Sequence, residues 1–182
     1  MKILGLFRHA KSDWDDPHAR DFDRPLNARG RKGAKLMGRH IRDYGVHWDR
    51  VIASPALRSA ETIERASADD PRLGEVTWDR RIYLASPETL CDLVREQDDA
   101  LGNVLLVGHN PGLEELIFTL VRDDGSSPLR DSIEAKFPTA TFAVLELAVD
   151  RWRDVREGCA RIVHVARPRD LDPSLGPELM RR

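Results

Sequence analysis

Apolar positions fall along this chain in two alternating kinds of run. Ile3-Leu4-Gly5-Leu6-Phe7 is short, continuous and without helical period, and Val104-Leu105-Leu106-Val107 is the clearest companion. Such runs read as strands buried on both faces. Val51-Ile52-Ala53, a weaker Val76 to Trp78, Phe142 to Leu147 and Ile162 to Val165 complete the predicted strands. Between them apolar residues recur at helical spacing. Ala34, Met37, Ile41 and Tyr44 line a helix predicted to start at an Asn27 cap, despite Gly30, Gly33 and Gly38. Ser54-Pro55 and Ser86-Pro87 read as cap and first-turn pairs. The helices they open turn Leu57, Ala60 and Ile63, and Leu90, Leu93 and Val94, inward. Asn110-Pro111 reads the same way before Leu113, Leu116, Ile117 and Leu120, while Asp13 to Leu26 and Asp123 to Pro128 read as loops.

Strands alternating with helices predict an α/β domain, its mainly parallel sheet covered on both faces. The last strands lie too close in sequence for two helical crossovers, so one antiparallel edge strand is expected. Residues 1–166 are expected to form the domain. Residues 167–182, with three prolines and many charges, are expected to be an irregular C-terminal tail.

Composition narrows the function classes. A chain of 182 residues buries a core without staples. Its 29 basic and 31 acidic side chains leave a net charge of -2, which argues against a nucleic-acid partner bound by bulk electrostatics. No stretch approaches the roughly 20 apolar residues of a membrane span. The start of the chain reads as a strand rather than a signal peptide. Cys91 and Cys159 are isolated, with no disulfide or zinc spacing, and two reduced thiols fit a cytoplasmic protein.

Three strand-to-helix junctions carry the candidate chemistry. The first supplies Arg8 and His9, followed by Lys11 and Ser12; the second places Arg58 in the first turn of a helix; the third supplies His109. If all three meet at one sheet edge, two guanidiniums, two imidazoles and positive helix ends make a phosphoryl site. There is no GxxxxGK[ST] loop, and neither histidine has a metal-ligand spacing. Asp13, Asp15, Asp16, His18, Asp21 and Asp23 resemble an ion loop only loosely, since Pro17 and His18 interrupt it. No cofactor or metal is expected. Histidine is then the natural nucleophile: neutral His9 attacks phosphorus, Arg8 and Arg58 spread charge on the equatorial oxygens, and His109 is a further donor. Arg24 either contacts the substrate or pairs with Asp21 or Asp23 on its loop. Lys11 and Ser12 are candidate substrate contacts. His40, His47 and His164 read as ordinary helix, turn and strand residues, and Trp14, Trp48, Trp78 and Trp152 as packing.

These residues resemble a known family. Phe7-Arg8-His9-Ala10-Lys11-Ser12 is similar to the RHG/RHA signature of the histidine phosphatase (phosphoglycerate-mutase-like) superfamily. Ser54-Pro55-Ala56-Leu57-Arg58-Ser59-Ala60-Glu61-Thr62 resembles its SPxxRxxxT motif, and Val107-Gly108-His109-Asn110-Pro111 the region of its second histidine. Arg24-Pro25-Leu26-Asn27-Ala28-Arg29-Gly30 is similar to the RPLTxxG segment of the small SixA-type phosphohistidine phosphatases, with Asn27 in place of Thr. The resemblance implies a three-layer α/β/α fold, cofactor-free phosphatase activity and His9 as the phosphorylated residue. Larger members place a carboxylic acid in an insertion to protonate an alkoxide. Here the chain between Ile63 and Val104 is compact, and neither Glu88 nor Asp23 stands out for that role. A phosphohistidine substrate tolerates this, because its imidazole leaving group has a reference pKa of about 6.5. The expected substrate is phosphohistidine on a protein or a small phosphoramidate. The alternatives are a phosphomonoesterase acting on a small metabolite and a noncatalytic phosphate-binding module. The module would not need His9 and His109, and a mutase would need a larger lid.

Overall fold

Side chains of the first strand alternate between two cores. Leu4 and Leu6 point into one apolar cluster, and Phe7 into a second across the sheet. Val104 and Leu106 join the first and Leu105 and Val107 the second, which explains why both runs are continuously apolar. The computed structural model describes residues 1–177. Its strands are β1 (Lys2–Arg8), β2 (Arg50–Ala53), β3 (Val76–Trp78), β4 (Asn103–Gly108), β5 (Phe142–Leu147) and β6 (Ala160–Ala166), ordered β3-β2-β4-β1-β5-β6. The strands β3, β2, β4 and β1 pair in parallel. The antiparallel pairings gather at the other end, where β5 runs against both β1 and β6.

Helices α1 (Ala28–Tyr44) and α2 (Leu57–Ala66) cover the Phe7 face. Helices α3 (Pro87–Arg95), α4 (Gly112–Leu120) and α5 (Pro128–Ala135) cover the Leu4 face, where Trp152 is fully buried. The result is a three-layer α/β/α sandwich. Two of the expected caps are in place: Asn27 Oδ1 accepts from Gly30 N–H at 2.8 Å, and Ser86 Oγ from Thr89 N–H at 3.2 Å. Two are not. Helix α2 starts at Leu57 with no side-chain cap, and α4 starts at Gly112 after a cis Asn110–Pro111 peptide. Ser54 and Asn110 are used elsewhere, as described below. The inner face of α2 also differs from the apolar reading. Arg58, Ser59, Thr62, Ile63 and Ala66 are buried, while Leu57 is exposed, because this helix turns polar side chains toward the site. Helix α5 follows Ser127, whose Oγ accepts from Arg130 N–H at 3.2 Å; its Ser-Pro start repeats the Ser86-Pro87 signal inside what reads as loop.

The glycines of α1 mark close approach. A Cβ on Gly30 would lie 2.0 Å from Lys11 O, and one on Gly38 2.2 Å from Ala66 O. Only glycine lets α1 pack against the backbone just past β1 and against the end of α2. After β6 the chain makes a helical turn, α6 (Pro168–Leu171), and a 3-10 turn, Pro173–Leu175, which lie along α1. Arg29 donates to Gly176 O and to Ser174 O, and Lys32 pairs with Asp172 at 3.2 Å. The rest of the expected tail, residues 178–182, lies outside the described residues. No described helix is long and apolar enough to cross a membrane. Trp48 and Trp152 are packing residues, whereas Trp14 and Trp78 are exposed.

Candidate active site

The parallel strands β2, β4 and β1 are neighbours, so their C-terminal ends share one edge. Arg8 pairs with Gly108 in register, and Ser54 N–H donates to Val107 O at 3.1 Å. The three junctions therefore meet, and His9, Arg58 and His109 come together there, all buried.

The His9 ring is oriented by a local bond. Its Nδ1 lies 2.7 Å from Ala10 O, which accepts only, so Nδ1 carries the proton and Nε2 keeps its lone pair. Arg58 Nε faces that Nε2 at 3.4 Å. Burial drives the imidazole down to about 3, against the pull of the Ala10 carbonyl and with help from His109, Arg8 and Arg58. Burial and the Arg58 charge likewise bring His109 to about 3. Both rings are neutral near pH 7. Their centroids are 5.1 Å apart. His109 Nε2 bonds Ser54 Oγ at 2.7 Å, and its Nδ1 is buried with no partner among the described residues. The Ser54 hydroxyl that read as a helix cap thus holds the second histidine.

Arg8 lies at the cleft with Nη1 donating to Phe137 O at 2.9 Å, and its buried Nε has no described partner. Asn110 Nδ2 donates to the same carbonyl at 3.1 Å, so it braces this wall rather than capping α4. Arg24 is held by three bonds: Nε and Nη2 donate to Asp21 Oδ1 at 3.1 and 3.0 Å, and Nη1 donates to Ser12 Oγ. Its guanidinium also lies 3.5 Å from the Trp14 ring centroid. The pairing with Asp21 that the loop sequence allowed is present. Ser12 holds Arg24, and Lys11 is exposed at the rim.

The sequence reading gave no role to Asp21, Tyr83, Thr62 or Ser54 as site residues. Asp21 Oδ2 receives Tyr83 Oη–H at 2.6 Å and Arg58 Nη2 at 3.1 Å, while Asp21 O accepts from Arg58 Nη1 at 2.7 Å. Partial burial pushes this carboxyl up, but the bonds from Tyr83 and Arg24 and the Arg58 charge outweigh it and hold it at about 2. Asp21 therefore aims Arg58, leaving Nε toward His9. Its signal was the i,i+3 spacing to Arg24; nothing in the sequence around Tyr83 marks it. Thr62 Oγ1 accepts from Ala10 N–H at 2.9 Å and donates to Arg58 O at 2.6 Å, joining the residue after His9 to the Arg58 helix. The final Thr of the SPxxRxxxT pattern carried that signal.

The cleft encloses about 590 Å³ and is lined, among the described residues, by Arg8, Lys11, Arg24 and Arg58 as cations and Asp21 as the one carboxylate. Glu88 and Asp23 do not line it, and Asp23 pairs with Arg20 at 2.7 Å. Among the described residues no three His, Cys, Asp or Glu side chains gather as a metal-ligand set. The arrangement offers an uncharged nitrogen nucleophile backed by guanidiniums, which is phosphoryl-transfer chemistry.

Comparison with known proteins identifies the family of the chain. Residues 4–83 match the histidine phosphatase superfamily, branch 1. The uncharacterized protein Rv1276c of Mycobacterium tuberculosis is 36% identical over 163 residues, covering 89% of this chain and 99% of its own. The structure of SixA from Nakamurella multipartitia superposes with a TM-score of 0.80 at 28% identity, over 92% of this chain and 96% of that one. SixA from Agrobacterium tumefaciens gives 0.76 at 27% identity, over 91% and 97%. The chain belongs to the histidine phosphatase superfamily, in its SixA-type branch, and is by that membership a phosphatase.

Proposed function

We propose that this phosphatase hydrolyses the N–P bond of phosphohistidine on a protein, with His9 as nucleophile and without a metal. The observation that carries the reading is the His9 ring: a proton held on Nδ1 by Ala10 O and a lone pair on Nε2 facing Arg58 Nε. The Nε2 lone pair forms the new N–P bond as the substrate's N–P bond breaks, and the departing imidazole nitrogen takes its proton from water. Water then attacks the phosphorus on His9, releasing phosphate and restoring the neutral ring. Arg8 and Arg58 balance the charge of the phosphoryl oxygens. Asp21, the one carboxylate lining the cleft among the described residues, is held ionised and so is no proton donor near neutral pH. That favours a leaving group such as imidazole over an alkoxide. The SixA proteins that resemble this chain carry the phosphohistidine phosphatase name, which is consistent with it.

The test offers a phosphohistidine peptide beside phosphoserine and sugar phosphates in the presence of EDTA. Phosphate release selective for the phosphohistidine peptide is expected, and His9→Ala abolishes it while the melting curve stays cooperative. Release from esters alone would replace the proposal with a phosphomonoesterase. Turnover that survives in His9→Ala removes His9 from the mechanism, and phosphate binding without any turnover would leave a binding module.

A further inference from the structure

A second cavity opens beside the catalytic cleft, and the charged side chains that line it among the described residues are of one sign. It encloses about 170 Å³ between the start of α1, residues 136–140 and the segment from Pro168 to Pro177. Lys11 and Thr139 line both spaces, so the strip around them is a shared partition. Backbone bonds hold that partition rigid: Ala140 N–H donates to His9 O at 2.9 Å, and Asn27 N–H to Lys11 O at 3.0 Å.

Among the described residues the ionisable side chains lining this cavity are Lys11, Arg29, Lys136 and Arg169, all cations, in a chain whose net charge is -2. Arg29 is engaged with the carbonyls of Ser174 and Gly176 and so builds the far wall. The other walls are largely apolar, with Pro138, Pro168 and Leu175. A concave space with low-dielectric walls and cations of one sign concentrates anions. The arginines at His9 already account for the phosphoryl group, so an anion here is a second negative group on the same substrate. On the cleft itself, Trp14 and Leu84 are both 72% exposed and among its lining residues. Such apolar surface beside a charged site fits an extended polypeptide better than a small metabolite.

We infer that this cavity is a subsite for an acidic side chain of the polypeptide that carries the phosphohistidine, with Lys11, Lys136 and Arg169 as its cations. The inference rests on the phosphohistidine reading above and adds to it a preference for carboxylates flanking the phosphorylated residue.

Two phosphohistidine peptides test it, one with glutamates flanking the histidine and one with glutamines at the same positions. The glutamate peptide is expected to have a KM lower by roughly tenfold, at similar kcat and fading with added salt. The double variant Lys136→Glu/Arg169→Glu raises KM for that peptide alone and leaves turnover of the glutamine peptide unchanged. The exposed-site variant Lys136→Gln, with a smaller shift in the same direction, covers the case in which the double variant does not fold. Equal KM values in the unaltered protein, or a preference that survives both variants, overturn the subsite. Anisotropy of an unphosphorylated, fluorescein-labelled glutamate peptide reads the cavity without turnover. Binding that the variants abolish, in a protein that hydrolyses neither phosphopeptide, keeps the subsite and sinks the phosphohistidine reading. Equal binding by all three proteins sinks the subsite alone.

Discussion

Thr62→Val removes one hydroxyl and keeps the side-chain volume. Thr62 is fully buried, and its Oγ1 is the described partner of Ala10 N–H at 2.9 Å while donating to Arg58 O at 2.6 Å. Arg58 O lies within α2 and keeps its helical bond, so the loss falls on Ala10. A buried amide left unpaired costs about 1–3 kcal/mol, and about 2 kcal/mol is expected here. At roughly 2–4 °C per kcal/mol for a domain of this size, the melting temperature should drop by about 4–8 °C. The same residue carries, in its following peptide group, the carbonyl that fixes the His9 tautomer at 2.7 Å. A shift of Ala10 misaims Nε2, and a fall in kcat of roughly tenfold follows if the aim is lost by a fraction of an ångström. Thermal and urea unfolding give the first number, and turnover at saturating substrate gives the second. Thr62→Ser restores the hydroxyl and should recover most of both. A Val variant that melts within 1 °C of the parent and turns over at its rate, on the order of the noise, refutes the argument. A Ser variant as damaged as Val assigns the role to the methyl group instead.

Other perturbations read other parts of the site. With its imidazole pushed down to about 3, His9 should stay in the neutral Nδ1–H form throughout pH 5–8 by ¹⁵N NMR; a titration midpoint at the ordinary 6.5 contradicts the buried-ring picture. Because the folded values of His9 and His109 are both lowered to about 3, the unfolded chain binds protons that the folded one refuses between there and 6.5. Stability therefore falls as pH falls through that window, by up to about 1.4 kcal/mol per pH unit per histidine, and His109→Gln should flatten the slope seen in urea midpoints. Gly30→Ala sets a Cβ 2.0 Å from Lys11 O, so a loss of more than about 1 kcal/mol and reduced turnover are expected. A variant as stable and active as the parent would show that α1 can retreat freely. Ser54→Ala deprives His109 Nε2 of its 2.7 Å partner and should lower kcat more than it raises KM, read from saturation kinetics; unchanged kcat takes His109 orientation out of the reaction.

The sequence by itself determined where strands and helices alternate, because burial on both faces writes a continuous apolar run and burial on one face writes a helical period. It also placed Arg8, His9, Arg58 and His109 at strand-to-helix junctions, since those positions follow directly from the runs. Local chemistry was ambiguous where one residue type serves two purposes. Ser54 is a good cap by composition, yet its hydroxyl bonds His109, a partner 55 residues away. The apolar stripe read for α2 holds only at Ile63: Leu57 is exposed, and the buried face includes Arg58 and Thr62, because their polar groups find partners there. Tertiary structure alone decided that Asp21 and Tyr83, 62 positions apart, close on Arg58. It also decided that Lys11 stands between two cavities. Hydrogen bonds and cavity walls depend on distances between segments that loop closure brings together, and no periodicity along the chain records those distances.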